Sequence, residues 1–371
     1  LKAMIPGGRL PPLNDSGLTR VTSHLEDAHE VWGDPQFLWG ATGGAEGEPV
    51  DFTSIFFPWA GQAVMRSGWE RDARYLMFEV GPFGIGHQHE DKLGLFLWGW
   101  GQPLLTEAGS YSYDRSKWRR FVLDTPAHNT VMVDGLSQHR RGLGETYAVE
   151  QPKEGVWATN DLFDWCVGRY ESGYGPDRMQ VTHERSVIYL RPDAYIVIDR
   201  MLDAEGEHLY EALFNLEAEE AAVHGDGFTV SSTDEGPNLT LMPLATEGLD
   251  LRIAKGQEEP LLGWIPRENH RPIPCAVFSK TGPTPQTLVT LMLPHPTDQA
   301  PAVEAELLAH TDGMLAIRID REMGEETVLY AFDGPMPMEA AGVATNARLA
   351  VIRRDAEGAI SGGVVDGTEL T

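Results

Sequence analysis

A succession of short β-rich runs, each closed by turn residues, is the feature that most constrains this chain. RYLMFEVG, LGLFLWGWG, NTVMVDG, SVIYL, YIVIDRM, LVTLMLP, MLAIRID and TVLYAF follow one another from about Phe56 onward. They are rich in β-branched and aromatic residues and bordered by Gly, Pro, Asn or Asp, the pattern of strands joined by tight connections. RSVIYLRPDAYIVIDRM reads as a hairpin with Arg-Pro-Asp at the turn, and RRDAEGAISGGVVDG as a final hairpin. No long helical period interrupts the series and no internal repeat is visible, so stacked antiparallel sheets are expected. At 371 residues the chain exceeds one ordinary core, although one large β-domain can take most of it.

The first fifty or so residues are different. PGGRLPPLNDSG is a loop by composition. LTRVTSHLEDAHEVWG and PQFLWGAT read as short helices, with Leu18, Val21, Leu25 and His29 near one face. Gly43 to Val50 reads as a linker. The expected organisation is a helical segment and linker over 1–50, then a mainly β, large antiparallel β-sandwich over 51–371.

Charge narrows the partners. A net charge of −27 argues against nucleic acid, which needs a basic face. It argues less against a polyanionic substrate, because Arg115, Lys117, Arg119, Arg120, Arg140 and Arg141 fall in one short span. That span reads equally as a local basic cleft or as solvated surface. LGLFLWGW is too short to span a bilayer, so no membrane partner is expected. Cys166 and Cys275 are expected to be buried free thiols. The chain opens at Leu1 without a basic-then-apolar leader, and any leader is expected to lie outside this sequence.

The chemistry concentrates in GHQHEDKLGLFLWGWGQPLLTEAG, Gly86 to Gly109. On a strand, His87 and His89 would project to the same side. Glu107 follows QPLLT, beyond a turn at Gly101-Gln102-Pro103, and a hairpin would return it to the histidines. His128 opens the run HNTVMVDG. Two imidazoles, one carboxylate and a water make a tetrahedral zinc site, which leaves one histidine for other work. A His-x-His pair alone carries little information. A cupin-like metal oxygenase is the competing motif, since Gly81 precedes His87 at the right spacing, but Leu93 and Gly94 stand where that pattern needs Glu. No phosphate-cradling loop precedes a helix, and GSYSY is not a nucleophile elbow. Tyr111, Tyr113 and Trp118 are candidates for sugar contact or for packing. Arg119 and Arg120 suit a carboxylate or a surface ion pair. Asn129 suits a substrate contact, the positioning of His128, or a turn. His183 and His208 read as satisfied core histidines.

The run GIGHQHEDKLGLFLWGWGQPLLTEAGSYSYDRSKWRRFVLDTPAHNTVMVDGLSQ resembles the signature segment of the heparinase II/III-like polysaccharide lyases. NDSG before it and THERSVIYLRPDAYIVIDRM after it resemble that family too. The resemblance implies His89, Glu107 and His128 as zinc ligands, with Glu107 where the family usually has Asp. It implies His87 as the histidine that faces substrate, and makes Tyr111 a catalytic candidate, with Tyr113, Arg119, Arg120 and Asn129 as substrate contacts. It further implies structural Zn2+, β-elimination at a uronic acid, an anionic uronate polysaccharide as partner, and a periplasmic or secreted setting. An (α/α) toroid is expected ahead of the sandwich, of which residues 1–50 resemble only the end. The rest would be a missing domain or a partner chain. The alternatives are a metal-stabilised sandwich that binds carbohydrate or scaffolds a larger lyase without activity of its own, and the cupin-like oxygenase.

Overall fold

The computed structural model describes residues 2–84, 86–139, 149 and 151–371. Two helices stand at the front, Thr22–Trp32 and Pro35–Ala41. Gly33 ends the first in the left-handed region, at φ 65°. Asp34 opens the second by accepting the backbone N–H of Gln36 at 2.8 Å. Val21, Leu25 and Ala41 bury together with Ile5, so the apolar face expected from the sequence is the one that packs. No helix among the described residues is long and apolar enough to cross a membrane.

The rest is antiparallel sheet. An up-and-down meander runs Ile55–Phe57, Gln62–Arg66, Tyr75–Glu79, Leu95–Gly99, Gln102–Leu105. A bridge from Leu105 to Leu216 links it to a four-stranded sheet ordered Leu249–Lys255, Pro274–Gly282, His208–Asn215, Val131–Val133. An eight-stranded sheet has Gln286–His295, Ala194–Leu202, Thr182–Leu190 and Phe163–Tyr170 at its centre. A C-terminal five-stranded sheet includes Met314–Arg321, Gly324–Ala331 and Leu349–Arg354. The hairpins read at 185–201 and 353–367 are both present.

The sandwich is thicker than its sequence pattern suggests, because the eight-stranded sheet is covered on both faces. Val187, Tyr189, Tyr195 and Val197 point into a core shared with the first two sheets. Their neighbours Ile188, Leu190, Ile196 and Ile198 point into a second core against the C-terminal sheet. Period-two alternation then places apolar side chains on both sides, which is why these strands read as continuous apolar runs. Cys166 and Cys275 are buried free thiols, as expected.

Two local expectations need correction. His87 and His89 do not lie on a strand: they sit in the connection between Tyr75–Glu79 and Leu95–Gly99. Strand alternation therefore cannot align them, and indeed His87 is exposed while His89 is buried. A short helix, Lys117–Leu123, also interrupts the β pattern. Ser116 caps it by accepting the backbone N–H of Arg119 at 3.2 Å.

Candidate metal centre and its open flank

The connection after Glu79 is fastened from several sides. Gln138 brackets Lys92, its Oε1 accepting the Lys92 backbone N–H at 2.7 Å and its Nε2 donating to the Lys92 carbonyl at 2.8 Å. The Thr125 hydroxyl donates to the Glu90 carbonyl at 2.7 Å. Beneath them, Arg185 donates to the carbonyls of Leu93 at 2.7 Å and Asn129 at 2.6 Å. One buried guanidinium thus ties the loop bearing His89 to the segment bearing His128.

Those ties bring His89, Asp91 and His128 together, with ligand atoms within 4.8 Å of one another. All three are buried. His89 Nδ1 and Asp91 Oδ1 have no hydrogen-bond partner among the described residues, although the Lys92 ammonium lies 3.4 Å from that oxygen. Orphaned buried polar atoms call for an explanation, and a bound ion is one. Burial, with His128 beside it, pushes His89 down to about 4, so its imidazole is neutral, the form that ligates. Burial opposes ionisation of Asp91, but Lys92 and the two imidazoles outweigh it and hold the carboxyl low. Two imidazole nitrogens and a carboxylate fit zinc better than magnesium or calcium.

Glu107 stands just past the strand Gln102–Leu105, and its Oε2 is hydrogen-bonded to His128 Nδ1. Its Oε1 accepts from the Asn129 backbone at 3.1 Å and from Asn129 Nδ2 at 3.0 Å. His128 Nε2 donates to the Val122 carbonyl at 3.2 Å. Burial disfavours charge on His128, yet the Glu107 carboxylate prevails and raises its pKa. Asp91 and Glu107 border one small cavity, of about 10 Å³, together with Asn14 and Glu79. The sequence reading passed over Asp91, whose only signal was the last letter of His-x-His-x-Asp.

Asn129, expected as a substrate contact, faces the protein interior. It is buried, and Nδ2 also donates to the carbonyls of Leu95 at 2.8 Å and Thr106 at 2.6 Å, while Oδ1 accepts from the Asn215 backbone at 2.7 Å. With its amide fully engaged inside the protein, it fixes Glu107 and the strand ends around it.

The flank of the cluster opens to solvent through His87, whose φ is 59° and whose side chain is 70% exposed. Its Nδ1 lies 2.8 Å from the Tyr113 hydroxyl and 3.1 Å from Asp15 Oδ2. Tyr113 donates to the same Asp15 oxygen at 3.0 Å. Arg119 grips both Asp15 oxygens, with NH2 3.0 Å from Oδ2. His89 Nε2 donates to Asp15 Oδ1 at 3.1 Å, and Asn14 Oδ1 accepts the His89 backbone N–H at 3.2 Å. Burial works against the Asp15 charge, but Arg119 and the surrounding donors hold its carboxyl well below the usual range. A carboxylate on Nδ1 keeps the proton there and leaves His87 Nε2, which has no partner among the described residues, as an outward lone pair.

Tyr113, not Tyr111, is the tyrosine beside His87. The Tyr111 hydroxyl lies 2.8 Å from His270 Nε2, and His270 stacks on Trp118 with ring centroids 4.3 Å apart. Arg119 is committed to Asp15, whereas Arg120 is exposed on the short helix. Arg140 and Arg141 lie outside the described residues. Asn14 and Asp15 were missed as site residues, because NDSG has the composition of an ordinary loop.

Residues 50–303 match the family described as heparinase II/III-like, C-terminal. The chain is 24% identical over 257 residues to a heparin-sulfate lyase of Bacteroides stercoris, covering 66% of this chain and 36% of that protein. It is 22% identical over 309 residues to a heparin-sulfate lyase of Pedobacter heparinus, covering 81% and 44% respectively. The chain thus spans less than half the length of these curated relatives. The solved heparan sulfate lyase HepC of Pedobacter heparinus shares 21% identity with it at a TM-score of 0.72, over 89% of this chain and 51% of that one. A heparinase III structure shares 14% at a TM-score of 0.69, over 89% and 53%. At such identity the solved structures speak for the fold alone, while the match over 50–303 speaks for descent: this chain belongs to the heparinase II/III-like family, whose C-terminal domain it carries.

Proposed function

We propose that this chain is the sandwich-bearing part of a lyase that cleaves a uronate polysaccharide by β-elimination. The observation that carries the reading is an exposed imidazole, His87, held through Nδ1 by Asp15 and Tyr113 on the rim of a buried metal-ligand cluster. Removing the C5 proton of a uronate needs a base, and a proton must reach the departing glycosidic oxygen. His87 Nε2 serves as the base, and the Tyr113 hydroxyl is the nearby proton donor. Donors that neutralise the substrate carboxylate stabilise the enolate-like intermediate. Arg120, exposed on the adjoining helix, is one candidate, and a preceding helical domain is expected to supply others.

His89, Asp91 and His128 would hold zinc, with Glu107 completing a closed, four-ligand structural site. Zinc there cross-links the loops that shape the cleft. Since His128 must give up a proton to bind it, affinity should rise with pH. The relatives' names favour a heparan-type glycosaminoglycan as substrate, and the family resemblance is what suggests a periplasmic or secreted setting. Because the chain spans under half of those relatives, a second reading stands beside the first: a metal-stabilised sandwich that binds saccharide and needs the helical domain for turnover.

The test is ultraviolet absorbance of unsaturated uronate with heparan sulfate, hyaluronan, chondroitin sulfate and alginate, alongside elemental analysis. His87→Ala should abolish the absorbance rise and keep the metal. His89→Ala and His128→Ala should lose metal and stability together. Equal metal loss in all three would sink the role assignment. No rise with this chain, but a rise with a longer one that includes the helical domain, would establish the second reading.

A further inference from the structure

A cavity of about 660 Å³ lies between the N-terminal segment and the first sheet, and none of the candidate-site residues lines it. That volume is in the range of small-ligand sites, roughly 300–1,000 Å³. Its wall contains a buried guanidinium, Arg66, which is 4% exposed. Arg66 NH2 donates to the Ile5 carbonyl at 3.1 Å, but Nε has no partner and no carboxylate pairs with the group among the described residues. The Trp69 ring, 4.3 Å from the guanidinium carbon, is a weak substitute for a counter-charge. A buried charge without an opposite charge is costly, so this arrangement asks for an anion.

The remaining walls agree. Arg9, Arg20 and Arg71 also line the cavity, and none forms an ion pair among the described residues. Among the described residues the Arg9 guanidinium donates to the Leu18 carbonyl and that of Arg20 to the Thr22 hydroxyl. Glu70 is the single acidic lining residue. Four arginines against one glutamate make this cavity strongly basic on a chain of net charge −27. The half-buried indole of Trp39 adds a flat apolar face of the kind that sugar rings lie against, while Trp98 is packed in the floor. Backbone approaches Trp98 closely because Gly7 holds φ 54°, and a Cβ there would stand 2.8 Å from the ring.

We infer that this cavity is a second binding site, for a sulfated or carboxylated saccharide, separate from the candidate metal centre. Guanidinium forks take the oxyanion groups, and the Trp39 indole takes a ring face. The oxyanion part stands on Arg66 and its neighbours. The choice of a saccharide rests on the proposed function.

Calorimetric titration of the full chain with a short heparan sulfate oligosaccharide tests this, because binding is read without turnover. The wild type should bind. The double variant Arg20→Ala/Arg71→Ala, which changes two exposed side chains, should bind ~10-fold more weakly or worse. Arginine modification mapped by mass spectrometry should show Arg20 and Arg71 protected by the oligosaccharide. Protection confined to Arg115 and Arg120, unchanged affinity in the double variant, or no binding by the wild type would overturn the proposal. Equal protection by inorganic sulfate at matched sulfate concentration would overturn the saccharide assignment. A chain that binds here while neither it nor a longer one with the helical domain eliminates anything would fail the lyase reading and keep this one.

Discussion

Among the described residues His, Asp and Arg meet in two places with opposite settings. In one place His183 Nε2 lies 2.6 Å from Asp199 Oδ1, and Arg185 pairs with the same carboxylate at 2.6 and 3.0 Å. Its members face one another across adjacent strands of the central sheet, with Asp199 opposite Arg185 in register, and all are buried. In the other, Asp15, His87 and Arg119 come from the N-terminal loop, the connection after Glu79 and the short helix. There the carboxylate is sheltered and the imidazole is 70% exposed. The same three side chains therefore carry different weight. The dry triad spends its charges on one another and on the carbonyls of Leu93 and Asn129, which makes it a fastening beneath the metal cluster. The wet one leaves an imidazole nitrogen free, which is why the proposed proton transfer is assigned to it.

The hardest blow to this contrast comes from the dry side. Asp199→Asn should destabilise the fold by ~3–5 kcal/mol, because it strands the buried Arg185 charge. Urea denaturation measures it, and a loss under ~1 kcal/mol would mean that the network is not the fastening described. The reverse is expected of Asp15→Asn. Elimination should fall about 100-fold or more as His87 loses its orientation, while the unfolding free energy changes by no more than ~1–2 kcal/mol. A collapse of stability with activity would erase the distinction between the two triads.

Acid tests the dry triad directly. Burial raises the Asp199 pKa, but Arg185 and His183 prevail and pull it down to about 2. A carboxyl depressed in the folded state contributes stability above its unfolded value, and that contribution is lost as pH falls through the folded value. Stability should therefore drop by roughly 2 kcal/mol between about pH 4 and pH 2, and the Asp199→Asn variant should lack this step. The smallest effects concern the tyrosines. Tyr113→Phe should slow elimination by ~10–100-fold, whereas Tyr111→Phe, whose hydroxyl meets His270, should stay within ~2-fold. A larger loss from Tyr111→Phe would return it to the catalytic place that the family resemblance suggested.

Much of this was legible in the residues. The strands, the two long hairpins and the N-terminal helices follow from local pattern, because alternation and turn chemistry act over a few residues, whereas the pairing of His89 with His128 was implied by the family resemblance. The double coverage of the central sheet was less visible, since a run such as SVIYL reads alike whether one face or both are buried. The site divided in the same way. Glu107 was expected among the ligands, yet the cluster holds Asp91, and Glu107 bonds His128 beside it; Tyr113 and not Tyr111 stands next to His87.

By itself the sequence determined that this is a β-protein with a histidine-rich segment capable of holding a metal, because residue type and short-range period decide both. Only the tertiary structure decided which carboxylates meet those histidines and which face of the cluster meets water. Asp15 lies 72 residues from His87 in the chain and 3.1 Å from it in space. No local propensity records a contact of that kind, because it is made by the packing of a loop onto the face of a sheet and not by the residues that flank either partner.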